Sequence, residues 1–237
     1  MKILAIDTSS KICSVSILED TDLIIEKHID NELTHSQKLM PLVDEVLKTN
    51  NLSLSDFDLF ACSIGPGSFT GVRIGVSTVK AFNDVTNIKI AAVSSLESLA
   101  YNILDSNYKE DSKLVLSMID AKNDNIYYGL FERKDDIFTP IEELGSKNID
   151  EMIDILKNYH SSPILFVGDG AEKHQYHLLN HFSKATFVED RLNKQTSISV
   201  GKAGFNHYIN NNVGDSNFIT PLYLRKSQAE RALEGEK

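Results

Sequence analysis

With 237 residues, of which 41% are hydrophobic and 24% charged, the chain has the composition of a soluble globular protein of one or two domains. Its formal net charge of −10 argues against binding nucleic acid alone, because contacts to phosphates need a basic surface. No apolar run approaches the roughly 20 residues of a membrane helix, and the start M-K-I-L-A-I-D lacks the apolar core of a signal peptide. The two cysteines lack CxxC spacing, so we expect buried thiols in the reducing cytoplasm.

The first half combines strand-like alternation with helix-like periodicity. In chain order, the pattern predicts strands at 2–7, 12–19 and 23–29, a helix at 34–50, a strand at 59–64, a helix at 70–85, a strand at 88–93 and a helix at 95–104. Thr34 and Gln37 form a predicted capping box at the start of the first helix.

The second half repeats this order. Strands are predicted at 114–119, 126–132 and 137–141, a helix at 149–159, a strand at 164–167, a helix at 172–182, a strand at 185–188 and a helix at 197–210. Both halves therefore follow the order βββαβαβα, which predicts an α/β fold with two mixed sheets. We expect subdomains at 1–105 and 106–210, with the polar stretch 105–112 between them and the tail 211–237 packing back on the first. Two such units resemble the actin, Hsp70 and sugar-kinase (ASKHA, ribonuclease H-like) superfamily, in which ATP lies between the halves.

An acid ends the first strand of each half, in I-D-T-S-S and in I-D-A-K-N-D-N. Hydroxyls and turn N–H groups can hold phosphate there, and a carboxylate can reach a metal through water. The superfamily has a glycine after each acid, whereas Thr8 and Ala121 follow here, so we expect weak ATP or ADP binding at most and no required cofactor. The alternative to a nucleotide site is a polar hairpin turn between two strands. With the turn V-G-D-G-A included, the candidate nucleotide-binding residues are Asp7, Thr8, Ser9, Asp120, Gly168, Asp169 and Gly170.

The glycine-rich stretch I-G-P-G-S-F-T-G-V-R-I-G covers residues 64–75. It is not a P-loop, because Val72 stands where the lysine is needed, and Ser68 lacks the flanking glycines of a nucleophile elbow. Along the following helix, Gly71 and Gly75 form a small-residue stripe that would let another helix approach closely. Spacing alone favours a core role for this helix and leaves an interface role open.

Three histidines, His174, His177 and His181, recur at helical spacing, which makes a zinc pair geometrically possible. No full ligand set accompanies them in the sequence, so we expect surface histidines and no metal site.

Four blocks taken together are distinctive: A-I-D-T-S, T-H-S-Q-K-L-M-P, S-I-G-P-G-S-F-T-G-V-R-I-G and P-L-Y-L-R, with I-D-A-K in the middle. On these blocks the chain resembles the TsaB (YeaZ) family, glycoprotease-like proteins of the actin-like superfamily. The resemblance implies a role in making threonylcarbamoyladenosine in tRNA, beside the transferase TsaD and the ATPase TsaE. In the transferase, the run V-N-H-L-E-G-H carries two metal-binding histidines. Here the run is V-S-S-L-E-S-L, with Ser95 and Leu99 in those positions, which implies a subunit without catalytic residues or metal.

The resemblance also implies that the first two helices pack against the same helices of TsaD, or of a second copy when TsaD is absent. Contact with tRNA is then indirect, through the complex. The rival predictions are an actin-fold ATPase or kinase and a glycoprotease-like peptidase. The missing glycines weaken the first, and the lack of a metal triad or Ser-His-Asp arrangement weakens the second. The predicted interface residues are Met40, Val43, Leu47, Gly71, Val72, Gly75, Val76, Val79 and Phe82.

Overall fold

The computed structural model describes residues 1–30, 35–108, 113–159 and 162–225. The predicted cap Thr34, residues 109–112 of the stretch between the halves and the tail beyond Arg225 lie outside the described residues. The strands are β1 (Lys2–Asp7), β2 (Ile12–Glu19), β3 (Asp22–Asp30), β4 (Leu59–Ser63), β5 (Ile90–Val93), β6 (Leu114–Asp120), β7 (Asn125–Lys134), β8 (Ile137–Pro140), β9 (Gly145–Asn148), β10 (Ile164–Val167) and β11 (Ala185–Phe187). The helices are α1 (His35–Thr49), α2 (Phe69–Thr86), α3 (Ser95–Tyr101), α4 (Ile149–Leu156), α5 (Asp169–Lys173), α6 (Gln175–Leu179) and α7 (Ser197–Ile209).

The first sheet has the strand order β3-β2-β1-β4-β5, with antiparallel pairing among β1, β2 and β3 and parallel pairing of β4 with β1 and β5. Alternate residues of β1 face opposite sides, as the two-residue period of a strand requires. Leu4 and Ile6 join the core beneath α1 and α2, whereas Ile3 and Ala5 join the core beneath α3 and α7. The sheet is therefore mixed and buried on both faces.

The second sheet has the order β11-β10-β6-β7-β8, and β9 also pairs with β7. The strand β9 was not predicted, because the sequence G-S-K-N has no apolar alternation. The predicted helix at 172–182 is instead the two short helices α5 and α6. They are separated at His174, whose φ of −102° and ψ of 11° lie outside the α-helical region. The two mixed sheets confirm the predicted α/β class.

Helix α7 packs on the first sheet, although the duplicated order assigns residues 197–210 to the second subdomain. Two glycines make this possible, since a Cβ added at Gly201 would lie 2.4 Å from Leu18 and one at Gly204 would lie 2.6 Å from Ala61. At the start of the helix, the Ser197 N–H donates to the Ser14 hydroxyl across 2.9 Å. The last helix that the structure describes thus completes the core of the first half.

The described part of the tail runs along the first half. Gly214 forms an antiparallel bridge with Ile90, and Ile219 is fully buried. The Leu222 N–H donates to the Ile64 carbonyl across 2.8 Å, at the start of the glycine-rich stretch. Within the described ranges, no helix combines the length and the apolar character that crossing a bilayer requires.

Candidate functional site

A cavity of about 520 Å³ lies between the two halves, at the ends of β1 and β6. Its volume is within the range of small-molecule sites. The first half lines it with residues of the β1–β2 turn and the glycine-rich stretch, and the second half with the β6–β7 turn and the segment before α7. Of the candidate nucleotide-binding residues, those that line it are Ser9, Asp120 and Asp169.

The carboxylate of Asp7 is buried beneath the first turn, with 1% of the residue exposed. Its Oδ1 accepts hydrogen bonds from the backbone N–H and the hydroxyl of Ser9, each at 2.7 Å. Among the described residues Oδ2 has no partner, and burial raises the pKa of Asp7 to about 6. Asp7 does not line the cavity, so this carboxylate is not placed to contact a ligand there.

The glycine-rich stretch wraps around the same turn. The Ser68 N–H donates to the Ser9 carbonyl, and the Thr8 hydroxyl donates to the Gly71 carbonyl, both at 2.7 Å. A Cβ added at Gly71 would lie 2.0 Å from the Thr8 carbonyl oxygen, and one at Gly75 would lie 2.5 Å from the Thr8 hydroxyl. The small-residue stripe of α2 is therefore occupied by the chain's own β1–β2 turn.

The second acid, Asp120, lies in a different environment. Burial would raise its pKa, but hydrogen bonds from the Lys122 and Lys173 side chains, each at 3.0 Å, and from the Lys122 N–H lower it to about 2. The Asp120 N–H donates to Asp169 Oδ1 across 3.0 Å. This turn presents a carboxylate already paired with two ammonium groups.

Two further candidates, Gly168 and Gly170, pack against the end of β6. A Cβ at Gly168 would lie 2.1 Å from the Met118 carbonyl oxygen, and the φ of +106° favours glycine there. The Gly168 N–H donates to the Asn193 side-chain oxygen within 2.8 Å. Gly168 and Gly170 therefore contact the end of β6 and do not line the cavity.

A phosphate cradle in this fold needs backbone N–H groups that point into the cleft. The N–H of Ser9 donates to Asp7, and the N–H of Lys122 donates to Asp120, so one N–H of each turn is already engaged within the turn. The side chains on the cavity wall include the cations Lys11 and Lys194. This arrangement suits loose contact with an anion better than phosphoryl transfer.

The two positions at which the resemblance implies histidines in the transferase lie in the core of this chain. Ser95 and Leu99 are both fully buried, and the Ser95 hydroxyl pairs with the Ser63 hydroxyl across 2.8 Å. His177 lies at the surface and pairs with Asp150 across 3.0 Å, whereas His174 is buried, so the expectation of a surface histidine is wrong for His174. In the ranges that the structure describes, no three His, Cys, Asp or Glu side chains gather as they would around a metal ion.

Most of the predicted interface residues lie inside the chain's own core. The buried side chains are Val43, Val72, Val76, Val79 and Phe82, and the two glycines contact Thr8. Leu47 is partly buried against this core, and Met40 is 49% exposed.

The outward surface of α2 carries residues that the sequence analysis did not select. Phe69 stacks on Tyr223 of the tail with ring centroids 4.5 Å apart, and Arg73 lies 4.0 Å above the Phe69 ring. The Arg73 Nε donates to the Tyr223 hydroxyl across 2.7 Å. The i, i+4 spacing of Phe69 and Arg73 was a usable signal, whereas the arrival of Tyr223 depends on the tail.

The family model for TsaD, tRNA N6-adenosine threonylcarbamoyltransferase, matches residues 30–233. The tRNA threonylcarbamoyladenosine biosynthesis protein TsaB of Bacillus subtilis (strain 168) is 28% identical over 100% of both chains. The protein of the same name from Buchnera aphidicola subsp. Schizaphis graminum is 32% identical, over 72% of this chain and 80% of its own.

Two solved structures are similar to this chain in fold. YeaZ from Pseudomonas aeruginosa has a TM-score of 0.75 at 23% identity and covers 94% of this chain and 99% of its own. ROK hexokinase from Thermus thermophilus has a TM-score of 0.53 at 8% identity and covers 89% of this chain and 100% of its own, which confirms the actin-like architecture. The chain belongs to the family of the TsaD model and, within it, to TsaB (YeaZ), as its sequence blocks predict.

Proposed function

We propose that this chain is a non-catalytic cytoplasmic subunit in the synthesis of N6-threonylcarbamoyladenosine in tRNA, where it binds and activates TsaD and helps to recruit TsaE. The pathway is the one in the names of its TsaB relatives. The absence of a catalytic role is supported above all by the two acid turns, because in each turn the carboxylate is engaged by a backbone N–H of its own turn.

The cleft fits this role as a weak nucleotide site, with Lys11, Lys194 and the Ser9 turn as contacts for ATP or ADP. Hydrolysis would need a positioned metal and an activated water. Asp7 is buried behind its turn, and Asp120 is neutralised by two lysines. Neither carboxylate is arranged to hold a metal ion against a phosphate.

The partner surface in this proposal is the outward side of α1 and α2, where Met40, Phe69, Arg73 and Tyr223 are exposed. Aromatic residues, methionine and arginine are the residue types enriched in protein interfaces. The stacked rings are held by the Arg73 contacts, so a partner meets a preorganised surface. TsaD occupies this surface in the heterodimer, a second copy occupies it when TsaD is absent, and tRNA is reached through the complex.

Reconstitution tests the proposal. Purified TsaD, TsaE and an enzyme that supplies threonylcarbamoyl-AMP are combined with tRNA, with and without this chain. Modified adenosine is then measured by mass spectrometry of the digested tRNA. We expect modification only when both TsaD and this chain are present. Modification by this chain without TsaD would overturn the non-catalytic role, and full modification without this chain would overturn its role in the pathway.

The surface is tested by Arg73→Glu, which reverses the charge of an exposed residue without opening the core. We expect about ten-fold weaker binding to TsaD, measured by calorimetry, and a matching loss of modification. Tyr176→Ala is the control, because Tyr176 is 82% exposed on α6 in the other half. Equal affinity of the two variants for TsaD would place the interface elsewhere.

A further inference from the structure

A second cavity, of about 290 Å³, lies at the opposite end of both sheets from the cleft. The β2–β3 turn of the first half and the β7–β8 turn of the second half face each other across it, and α3 and α7 form its floor. We call it the rear pocket. The residues that determine its chemistry are Asp22, Asp105, Asp136, Ile137, Lys202 and Ile209.

The polar groups on the floor of the rear pocket are already satisfied. Lys202, with 8% of its side chain exposed, forms an ion pair with Asp105. The Asn206 side-chain amide donates to the Tyr101 hydroxyl across 2.9 Å. Because these groups have partners within the chain, a ligand is not needed to satisfy them, and the remaining floor is the apolar surface of Leu104 and Phe205.

The rim of the rear pocket combines exposed apolar surface with negative charge. Ile137 is 41% exposed and Ile209 is 55% exposed, and both line the pocket, one from the second half and one from α7. Three carboxylates and one ammonium group line the pocket. The ammonium of Lys202 is taken by Asp105, and Asp136 lies 3.8 Å from the Arg133 guanidinium. Asp22 adds an exposed carboxylate at the start of β3, directly after the β2–β3 turn.

We propose that the rear pocket docks a segment of a partner protein in which one apolar side chain is flanked by lysine or arginine. The apolar side chain fills the pocket between Ile137 and Ile209, and the neighbouring cation lies against Asp22 and Asp136. The volume suits a single side chain, since a cavity of about 150 Å³ holds a benzene ring. The carboxylates on the rim disfavour an acidic segment. Because the two turns belong to different halves, the docked segment bridges them.

The test is a nuclear magnetic resonance titration of the ¹⁵N-labelled full chain. The probe is a short blocked peptide with a central leucine flanked by arginine and lysine. We expect saturable shifts of the amides of Asp22, Ile137 and Ile209, with a dissociation constant in the millimolar range or tighter. A peptide with glutamates in place of the basic residues, and one with alanine in place of leucine, should each bind about ten-fold more weakly.

Two variants locate the binding. Asp22→Asn combined with Asp136→Asn, and separately Ile209→Ser, change exposed side chains and should each weaken the parent peptide about five-fold or more. Asp154→Asn and Tyr176→Ser are the matched controls on exposed surface of the second half and should leave binding unchanged. Absence of saturable shifts, shifts centred on the cleft, or equal binding by the rear-pocket variants would each overturn the proposal.

Discussion

The two acid turns occupy equivalent places in the two halves and have opposite electrostatics. Asp7 is buried beneath the glycine-rich stretch, and its pKa rises to about 6. Asp120 lies at the cleft wall between two lysines, and its pKa falls to about 2. The topology places an acid at the end of the first strand in both halves, but the neighbouring elements decide what the acid can do.

The fold therefore keeps the shape of the site independent of the charge of its acid residues. In each half a glycine packs against the end of the first strand, Gly71 in the first turn of α2 and Gly168 directly after β10. This packing holds the turns in place whether or not a ligand binds. The first turn is part of the core, and the second is a surface ion-pair network.

The largest expected effect comes from Gly71 and Gly168, the glycines that pack against the ends of β1 and β6. Gly71→Ala and Gly168→Ala should each lower the free energy of unfolding by about 3 kcal/mol, because the added Cβ meets a backbone carbonyl that cannot move aside. Ser77→Ala is the control and should change the free energy of unfolding little, because Ser77 is exposed on α2. Urea denaturation measures all three. A loss in only one half would break the equivalence of the turns.

Asp7→Asn should stabilise the protein by about 2 kcal/mol at neutral pH, because it removes a buried charge and keeps an acceptor for Ser9. Because the pKa of Asp7 is higher in the folded protein than in the unfolded chain, the charged form of Asp7 lowers the free energy of unfolding. The cost of the charge is fully present above about pH 6 and disappears as the pH falls toward the unfolded value of 3.8. Urea denaturation of both proteins at several pH values should show the difference shrinking in acid. A destabilised variant at neutral pH would contradict the burial argument.

Asp120→Asn should act in the opposite direction and cost about 1 kcal/mol at neutral pH, reduced by solvent screening because Lys173 is 41% exposed and Lys122 is 81% exposed. The lowered pKa means that the contribution is present above the unfolded value of 3.8 and lost as the pH falls toward about 2. The same denaturation series measures it. Stabilisation by both Asn variants would remove the electrostatic contrast between the turns.

The smallest effect concerns the contact between the tail and the second turn, where the Arg225 guanidinium donates to the Ala121 carbonyl across 3.2 Å. Arg225→Ala should cost about 0.5 kcal/mol, the low end for a partly exposed hydrogen bond. Amide exchange should accelerate at the Asp120–Lys122 turn while the Asp7–Ser9 turn is unaffected. Equal acceleration at both turns would show that the tail holds the halves together as a whole.

The sequence predicted the secondary structure well where periodicity was strong. The predicted and observed bounds of β1 are the same, because the alternating side chains of K-I-L-A-I-D place apolar residues on both faces of the strand. The strand β9 escaped prediction because it owes its place to pairing with β7. The packing of α7 on the first sheet was not predicted either, because periodicity identifies a helix without specifying the sheet against which it packs.

For the site, the sequence located both acid turns but not their environments. The pKa of Asp120 depends on Lys173, which is distant in the chain, and that of Asp7 depends on burial beneath α2. The stripe of Gly71 and Gly75 indicated close approach correctly, yet spacing alone could not tell an outside helix from the chain's own Thr8.

The position of α7 has a consequence for the order in which the protein is made. One face of the first sheet is covered by a helix encoded near the end of the chain, through contacts such as Ser14 to Ser197, which are 183 residues apart. During synthesis, the first half therefore emerges with Ala5 and Ala61 uncovered and cannot complete its core until residues 197–209 arrive. A ribosome that stalls before that point displays an apolar sheet, which is a substrate for chaperones and proteases.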